Sequence, residues 1–311
     1  MVSKTRAATV LKLIFWALLF YFCFAFLIPK WQSLQLSDRL ATLGPSWLAG
    51  AAILMVLYYI YVFGLWALLL RQLGARPKLS LAFRAYALSQ LAKYMPGKIV
   101  SHGVRAAYTL QADVSPPVVS SSLVWEAMLT LGSAAFIAFL TLFTQTSMAI
   151  HEASRWLVLA FALGSIAFAA VGSTRLLGSG WKRWVGLLQF RSRPLAASGL
   201  FALYLCGWPI FGLCNWLLAN SITSLGTSAL FPLTGALAVS WGLGYVSVFA
   251  PAGLGVREGV LYLFVLGIMG EGNAILFVAL SRVLGFAVEV LLTAAWGLLS
   301  VTLIRDASPE P

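Results

Sequence analysis

Polar positions are sparse in this chain, and they cluster between long apolar runs rather than within them. Six runs, at residues 10–28, 47–70, 118–143, 156–171, 195–219 and 274–304, approach or exceed the roughly 20 apolar residues that carry a helix across a bilayer. Two further runs are interrupted, 79–95 at Pro96-Gly97 and 229–250 at Pro251-Ala252-Gly253, and each interruption predicts a broken helical hairpin. Trp31, Trp47 and Trp156 stand at run ends, where an amphipathic ring suits the headgroup layer. The first run has Lys4, Arg6 and Lys12 beside it but is long for a signal peptide. It ends at Pro29-Lys30-Trp31 without a small-residue cleavage site, so it reads as an uncleaved span.

Composition supports a lipid-solvated protein. Hydrophobic residues make up 61% of the 311 and charged residues 10%, with a mean hydropathy of +0.91. A soluble domain carries about 25% charge, so this chain cannot cover a water-facing surface of its size. The charges split into 21 Lys+Arg and 9 Asp+Glu, a net +12. Such an excess often marks nucleic-acid binding. Here the basic residues occupy short segments between apolar runs, which is the cytoplasmic bias of a polytopic membrane protein, and no nucleic-acid partner is expected.

That bias sets an orientation. The basic N-terminus is inside, and Arg71, Arg76 and Lys78 are inside again after two spans. Residues 173–193 hold Arg175, Lys182, Arg183, Arg191 and Arg193 and no acid. They face inside only if the chain enters and leaves on the same side at Pro96-Gly97, whether by a re-entrant hairpin or by two short crossings. The same parity at Pro251 brings the last span to end inside, beside Arg305. The expected fold is therefore all-α: a polytopic helical membrane protein of about six full spans plus two Pro/Gly-broken re-entrant hairpins. Three spans separate the hairpins, so they run in opposite directions, as in an inverted repeat whose elements meet near the bilayer midplane. The repeats fall at about 47–143 and 195–304, within one membrane domain with no soluble domain. The expected location is the cell inner membrane, with both termini cytoplasmic. Trp181, Trp184, Val185 and Leu188 line one face of a short helix in 173–193, which is expected to lie on the anionic leaflet as an anchor.

Charge inside an apolar run costs at least about 2.5–3.5 kcal/mol per residue on insertion scales, so each instance needs a reason. Glu126 lies in the run 118–143, and Arg282 and Glu289 share one face of the last span. Lys98 and Arg105 follow the first break, Arg257 and Glu258 follow the second, and Arg84 and Lys93 lie on the first hairpin's leading arm. One reading pairs these charges to hold the halves together. The other places them around a polar cavity at the hairpin tips that receives an anionic group. Five basic residues (Lys93, Lys98, Arg105, Arg257, Arg282) against three acids (Glu126, Glu258, Glu289) leave a surplus that pairing alone does not explain. The breaks at Pro96, Gly97, Pro251, Gly253 and Gly255 free backbone amides, tolerated at depth only where buried or lining a cavity. A helix resuming at Arg257 adds a positive dipole end. Arg84 is read as an interfacial, snorkelling residue.

Enzymatic and metal chemistry find little support. Cys23, Cys206 and Cys214 all lie in apolar runs without a C-x-x-C pair, and His102 and His151 are the only histidines. The Gly253-Leu254-Gly255 fragment follows no strand, which excludes a dinucleotide fold. Neither a cofactor nor a metal is expected, and the protein is read as a non-enzyme.

Lys93-Tyr94-Met95-Pro96-Gly97-Lys98 with Arg105, then Pro251-Ala252-Gly253-Leu254-Gly255-Val256-Arg257-Glu258-Gly259, then Ser281-Arg282, resemble the lysylphosphatidylglycerol synthase transmembrane (flippase-like) family. That family includes the membrane half of the multiple peptide resistance factor and stand-alone proteins of similar length. The resemblance implies movement of a lipid between leaflets, with an anionic or aminoacylated phospholipid as cargo. On the reading of the residues, Lys98, Arg105, Arg257 and Arg282 hold the anionic headgroup, Glu258 balances charge, and Glu126 and Glu289 balance charge or carry a proton. No soluble aminoacyl-transferase domain follows before Pro311, so synthesis of the lysyl lipid is not carried over. The expected partner is a membrane phospholipid or lipid-linked anion. Recycling of a polyprenyl-phosphate carrier, an accessory role beside a lipid-modifying synthase, and a homo-oligomer remain alternatives.

Overall fold

The computed structural model describes residues 36–95, 99–144, 194–247 and 251–305. The first and fourth apolar runs, the segment 173–193 and the turn Pro96-Gly97-Lys98 lie outside the described residues. The all-α expectation holds: among the described residues there are helices and no strand.

The chain divides into two compact units, residues 1–43 and 44–311. In the first, α1 (Leu36–Ala41) ends where the Thr42 hydroxyl donates to the Arg39 carbonyl at 3.1 Å. In the second, α2 (Pro45–Gln72) starts with proline at its first position, where a missing amide hydrogen costs nothing. It stops at Gly74, whose φ of 91° is the left-handed geometry of a helix C-cap. The first hairpin follows as α3 (Leu79–Ala92) and α4 (Ile99–Leu110), and the long α5 (Pro116–Thr144) closes this half. The second half repeats the order. Here α6 (Pro194–Ile222) leads to α7 (Leu230–Val246) and α8 (Val256–Met269), and α9 (Glu271–Arg305) closes it.

Among the described residues, five helical stretches are long and apolar enough to cross a membrane: Pro45–Gln72, Pro116–Thr141, Ser198–Ile222, Thr227–Val246 and Glu271–Gly297. The protein is a multi-pass membrane protein. The two hairpins differ in reach. The arms α3 and α4 have 14 and 12 residues, and α8 has 14. At 1.5 Å per residue these are about 18–21 Å long, short of the roughly 30 Å hydrocarbon core. With the one-turn helix Thr227–Ala229 ahead of it, α7 does have the length of a span.

Packing ties the halves together reciprocally. The leading helices α2 and α6 lie along one another, each hairpin folds back on itself, α7 packs on α5, and α3 packs on α9. Each half therefore places its hairpin against the closing helix of the other. Between α7 and α5 the backbones come so close that a Cβ on Gly235 would fall 2.3 Å from the Thr141 hydroxyl oxygen. Close approach through small residues is how helices associate in lipid, where the hydrophobic effect gives no drive. Buried hydrogen bonds add to it: Trp208 Nε1 donates to Ser133 Oγ at 2.9 Å, and Ser281 Oγ donates to Asn215 Oδ1 at 2.9 Å. Each such bond contributes about 0.6 kcal/mol in a membrane interior. Trp66, Leu69, Leu70, Leu218, Leu233 and Phe277 are fully enclosed, whereas Ile53, Leu57, Leu263, Val283 and Leu291 point outward and are more than half exposed. Apolar side chains on the outside belong against lipid.

Candidate functional site

A cavity of about 210 Å³ opens between the two hairpins and the helices α2, α5 and α9. That is many times the roughly 10–15 Å³ needed to admit one water. Lys93, Arg105, Arg257 and Arg282 line it against Glu126 and Glu289, an excess of two positive charges. The charges that the sequence scatters over four segments therefore meet in one place.

The first hairpin contributes a closed pair. Arg105 on α4 is 8% exposed and points back toward α3 and α5. Its Nη1 bonds the Glu126 carboxylate, and its Nε donates to Ser89 Oγ at 2.9 Å. The guanidinium carbon lies 4.5 Å from the Tyr86 ring centroid and 5.3 Å from that of Trp66. Carboxylate, hydroxyl and two aromatic faces together compensate this charge. The sequence treats Arg105 as a phosphate ligand equal to Arg257 and Arg282, but the structure gives it a full set of internal partners.

The second break is built differently. After α7 ends, Pro251–Gly253 form one tight turn, in which Ala252 takes φ 49° and Gly253 φ 71°. A Cβ on Gly253 would sit 2.9 Å from the Gly244 Cα, so only glycine lets this turn lie against the α7 backbone. Gly255, φ 82°, then leads into α8. Glu258, at the third position of α8, accepts the Gly255 amide at 2.7 Å, which is half of a capping box. The sequence offers the start of this helix as an anion site. The structure fills that position with Glu258, which lies off the cavity wall. Arg282, from α9, donates through Nη2 to the Ala252 carbonyl at 3.0 Å and forms a 3.4 Å ion pair with Glu258 through Nε. That ion pair is not a hydrogen bond: both atoms are buried and lack a hydrogen-bond partner.

Arg257 lines the same cavity, and among the described residues it makes neither a hydrogen bond nor an ion pair. Arg282 repels it, and Glu258, the acid that attracts it, is engaged with the helix start and with Arg282.

A third cluster joins the halves. Lys93, just past the end of α3, bonds Glu289 on α9, and the Tyr59 hydroxyl on α2 donates to the same oxygen, Oε1. Lys93 Nζ also donates to Gln90 Oε1 at 3.2 Å. The Tyr94 ring lies between two cations, with Lys93 Nζ and the Arg282 guanidinium carbon each 5.3 Å from its centroid. His102 approaches Tyr245 Oη at 3.4 Å on the opposite wall. Arg84 stands apart, over the Tyr108 ring at 4.8 Å.

Of the residues singled out in the sequence, Arg105, Glu126, Arg257, Arg282, Glu289, Lys93 and Gly253 line the cavity, and Pro251, Gly255 and Glu258 build the turn beside it. Pro96, Gly97 and Lys98 lie outside the described residues. Sequence reasoning missed the aromatic wall of Tyr58, Tyr59, Tyr86, Tyr94, Trp241 and Tyr245. One signal was available, since Tyr58-Tyr59 with Tyr61 is an unusual density of hydroxyls in the middle of a span. No three His, Cys, Asp or Glu side chains cluster as metal ligands among the described residues.

No curated protein sequence matches the chain. A family model described as the lysylphosphatidylglycerol synthase TM region matches residues 9–293, nearly the whole chain. The protein belongs to that family, and its function is a membrane, lipid-related one.

Proposed function

We propose that the protein carries a lipid with an anionic headgroup between the two leaflets of a bacterial inner membrane, with both termini cytoplasmic. It acts by binding and release, without making or breaking a covalent bond. The observation that carries this reading is Arg257: a guanidinium at membrane depth, lining a cavity already in positive excess, with no internal partner among the described residues. Such a charge is costly unless something neutralises it, and a phosphate oxygen does so with a charge-assisted hydrogen bond. Lys93 and Arg282 share the Tyr94 ring and line the same cavity as Arg257, and Arg105 lines it as an ion pair with Glu126. The apolar outer faces of the helices leave acyl chains in the bilayer while the headgroup sits among the charges.

Reconstitution tests this. In vesicles of phosphatidylcholine, acyl-labelled phosphatidylglycerol exchanges between leaflets when the protein is present and much more slowly in protein-free vesicles. Arg257→Gln lowers that exchange while the protein stays folded. Exchange unchanged by Arg257→Gln rejects the site. A labelled polyprenyl phosphate in the same vesicles separates the two lipid classes, because a carrier-recycling protein moves it in preference to the phospholipid.

A further inference from the structure

Glu289 has chemistry that headgroup binding leaves unused. It is 2% exposed, in the middle of the long helix α9, and all its side-chain bonds fall on one oxygen. Its other oxygen, Oε2, is buried with no hydrogen-bond partner. A second, small pocket of about 10 Å³ lies beside it, lined by Tyr59, Tyr86, Ala87 and Gln90. Tyr59 from α2, Tyr86 from α3, and Lys93 and Tyr94 from the turn that follows face this carboxylate, and Arg282 of its own helix and Arg257 of α8 line the same cavity. Among these, Lys93 is the cation that bonds it. Lys93 also lines the cavity beside Arg257 and Arg282, on a flexible stem carrying three donors.

We infer that Glu289 is a proton site that couples proton movement to movement of the anionic lipid. This rests on the lipid-moving reading above and adds its energetics. A phosphate arriving among Arg257, Arg282 and Lys93 competes with Glu289 for Lys93. When the Lys93 ammonium turns to the phosphate, Glu289 is left as a buried carboxylate without a cation, a state far more costly than the neutral acid. It takes one proton from the solution that the cavity faces, relayed by water, and stays bonded to the Tyr59 hydroxyl. The lipid brings one negative charge and the proton one positive, so the charge of the cavity is the same loaded or empty. A monoanionic lipid and one proton thus cross together without net charge movement, and release reverses both steps. Carboxylates within spans commonly serve as proton relays. Here the lipid's own charge makes the site take up its proton.

The test uses the full chain in phosphatidylcholine vesicles holding acyl-labelled phosphatidylglycerol, with protein-free vesicles as reference. One-to-one coupling requires the labelled lipid to accumulate in the leaflet facing the alkaline side, its leaflet ratio shifting about tenfold per pH unit imposed. A potassium diffusion potential at equal pH leaves the ratio at one. In Glu289→Gln the ratio stays at one under a pH gradient, whether or not exchange survives. Proton uptake by the wild-type protein in weakly buffered detergent, on adding phosphatidylglycerol, checks the same step without any variant. Exchange that reaches a ratio of one regardless of pH, a ratio set by a sodium gradient instead, or a pH response surviving in Glu289→Gln each overturns the coupling alone. No transfer above protein-free vesicles under any condition overturns the lipid-moving reading, and the coupling with it.

Discussion

Arg105 and Arg257 occupy corresponding places in the two halves, each on the second arm of a broken hairpin, yet they are in opposite states. Arg105 is enclosed by a carboxylate, a hydroxyl and two aromatic rings. Arg257 faces the cavity with neither hydrogen bond nor ion pair among the described residues. The two closing helices carry the difference. In the first half α5 supplies the acid Glu126 to the arm; in the second, α9 supplies the cation Arg282, and the acid moves to the arm as Glu258. Exchanging the sign leaves the first pair neutral and sealed. In the second half Glu258 serves both the helix start and Arg282, and Arg257 is left over. Two hairpins with the same order of helices thus hold one arginine in a closed pair and leave the other facing the cavity.

The sharpest way to break this contrast is to remove Glu126. Glu126→Gln leaves the Arg105 charge buried, and losing one partner of a buried ion pair costs about 3–5 kcal/mol. Unfolding in detergent is expected at a much lower temperature or denaturant concentration than wild type. Wild-type stability in Glu126→Gln would mean that Arg105 is already wet and not structural. The matching change in the other half is Arg257→Gln. Because no internal bond is lost and an unneutralised charge is removed, stability is expected to hold or to rise, by at most the roughly 2.5–3.5 kcal/mol that such a charge costs. Lipid exchange, by contrast, should fall by one to two factors of about ten, the worth of a charged hydrogen bond. Rates and melting temperatures measured on the same preparations check both halves of the contrast.

Why one half looked like the other from sequence alone follows from what charge reveals. Arg105, Glu126, Arg257, Arg282 and Glu289 stand out because the runs around them are apolar, and their meeting in one cavity follows from two hairpins that converge. Which charge meets which depends on helix rotation and depth, and spacing along the chain carries neither. Glu126 lies 21 positions from its partner Arg105, and Glu289 lies 196 from Lys93. The tyrosines escaped notice for a different reason: within a span Tyr59 and Tyr86 read as apolar, and only packing shows their hydroxyls or rings turned to charge. Glu258 was legible in principle. A residue three positions after Gly255, at the start of a helix, is placed to cap it, whereas the sequence reading puts an anion at the same spot.

The turn of the second hairpin provides a smaller test. Gly253→Ala would bring a Cβ to 2.9 Å from the Gly244 Cα, and a backbone atom cannot move aside as a side chain can. A destabilisation of about 2 kcal/mol is expected, typical of overpacking. It should also lower exchange, because Arg282 is bonded to this turn and Arg257 follows it directly. A fully stable, fully active Gly253→Ala would show that the turn does not rest on α7.

The smallest effect asks whether that turn is a fixed support or a moving part. Ala252 holds a left-handed backbone at φ 49°, which costs an ordinary residue about 1–2 kcal/mol relative to its preferred regions. Ala252→Gly removes that strain but gives the unfolded chain more freedom, offsetting about 0.5–1 kcal/mol. The Arg282 bond goes to the backbone carbonyl of residue 252 and survives the change. A net stabilisation of about 0.5 kcal/mol is therefore expected. If the turn only holds Arg257 and Arg282 in position, lipid exchange stays at the wild-type rate. A rate that changes severalfold while stability barely moves would mean that the strain at Ala252 is spent during transport. The contrast between the halves would then lie in motion as well as in charge.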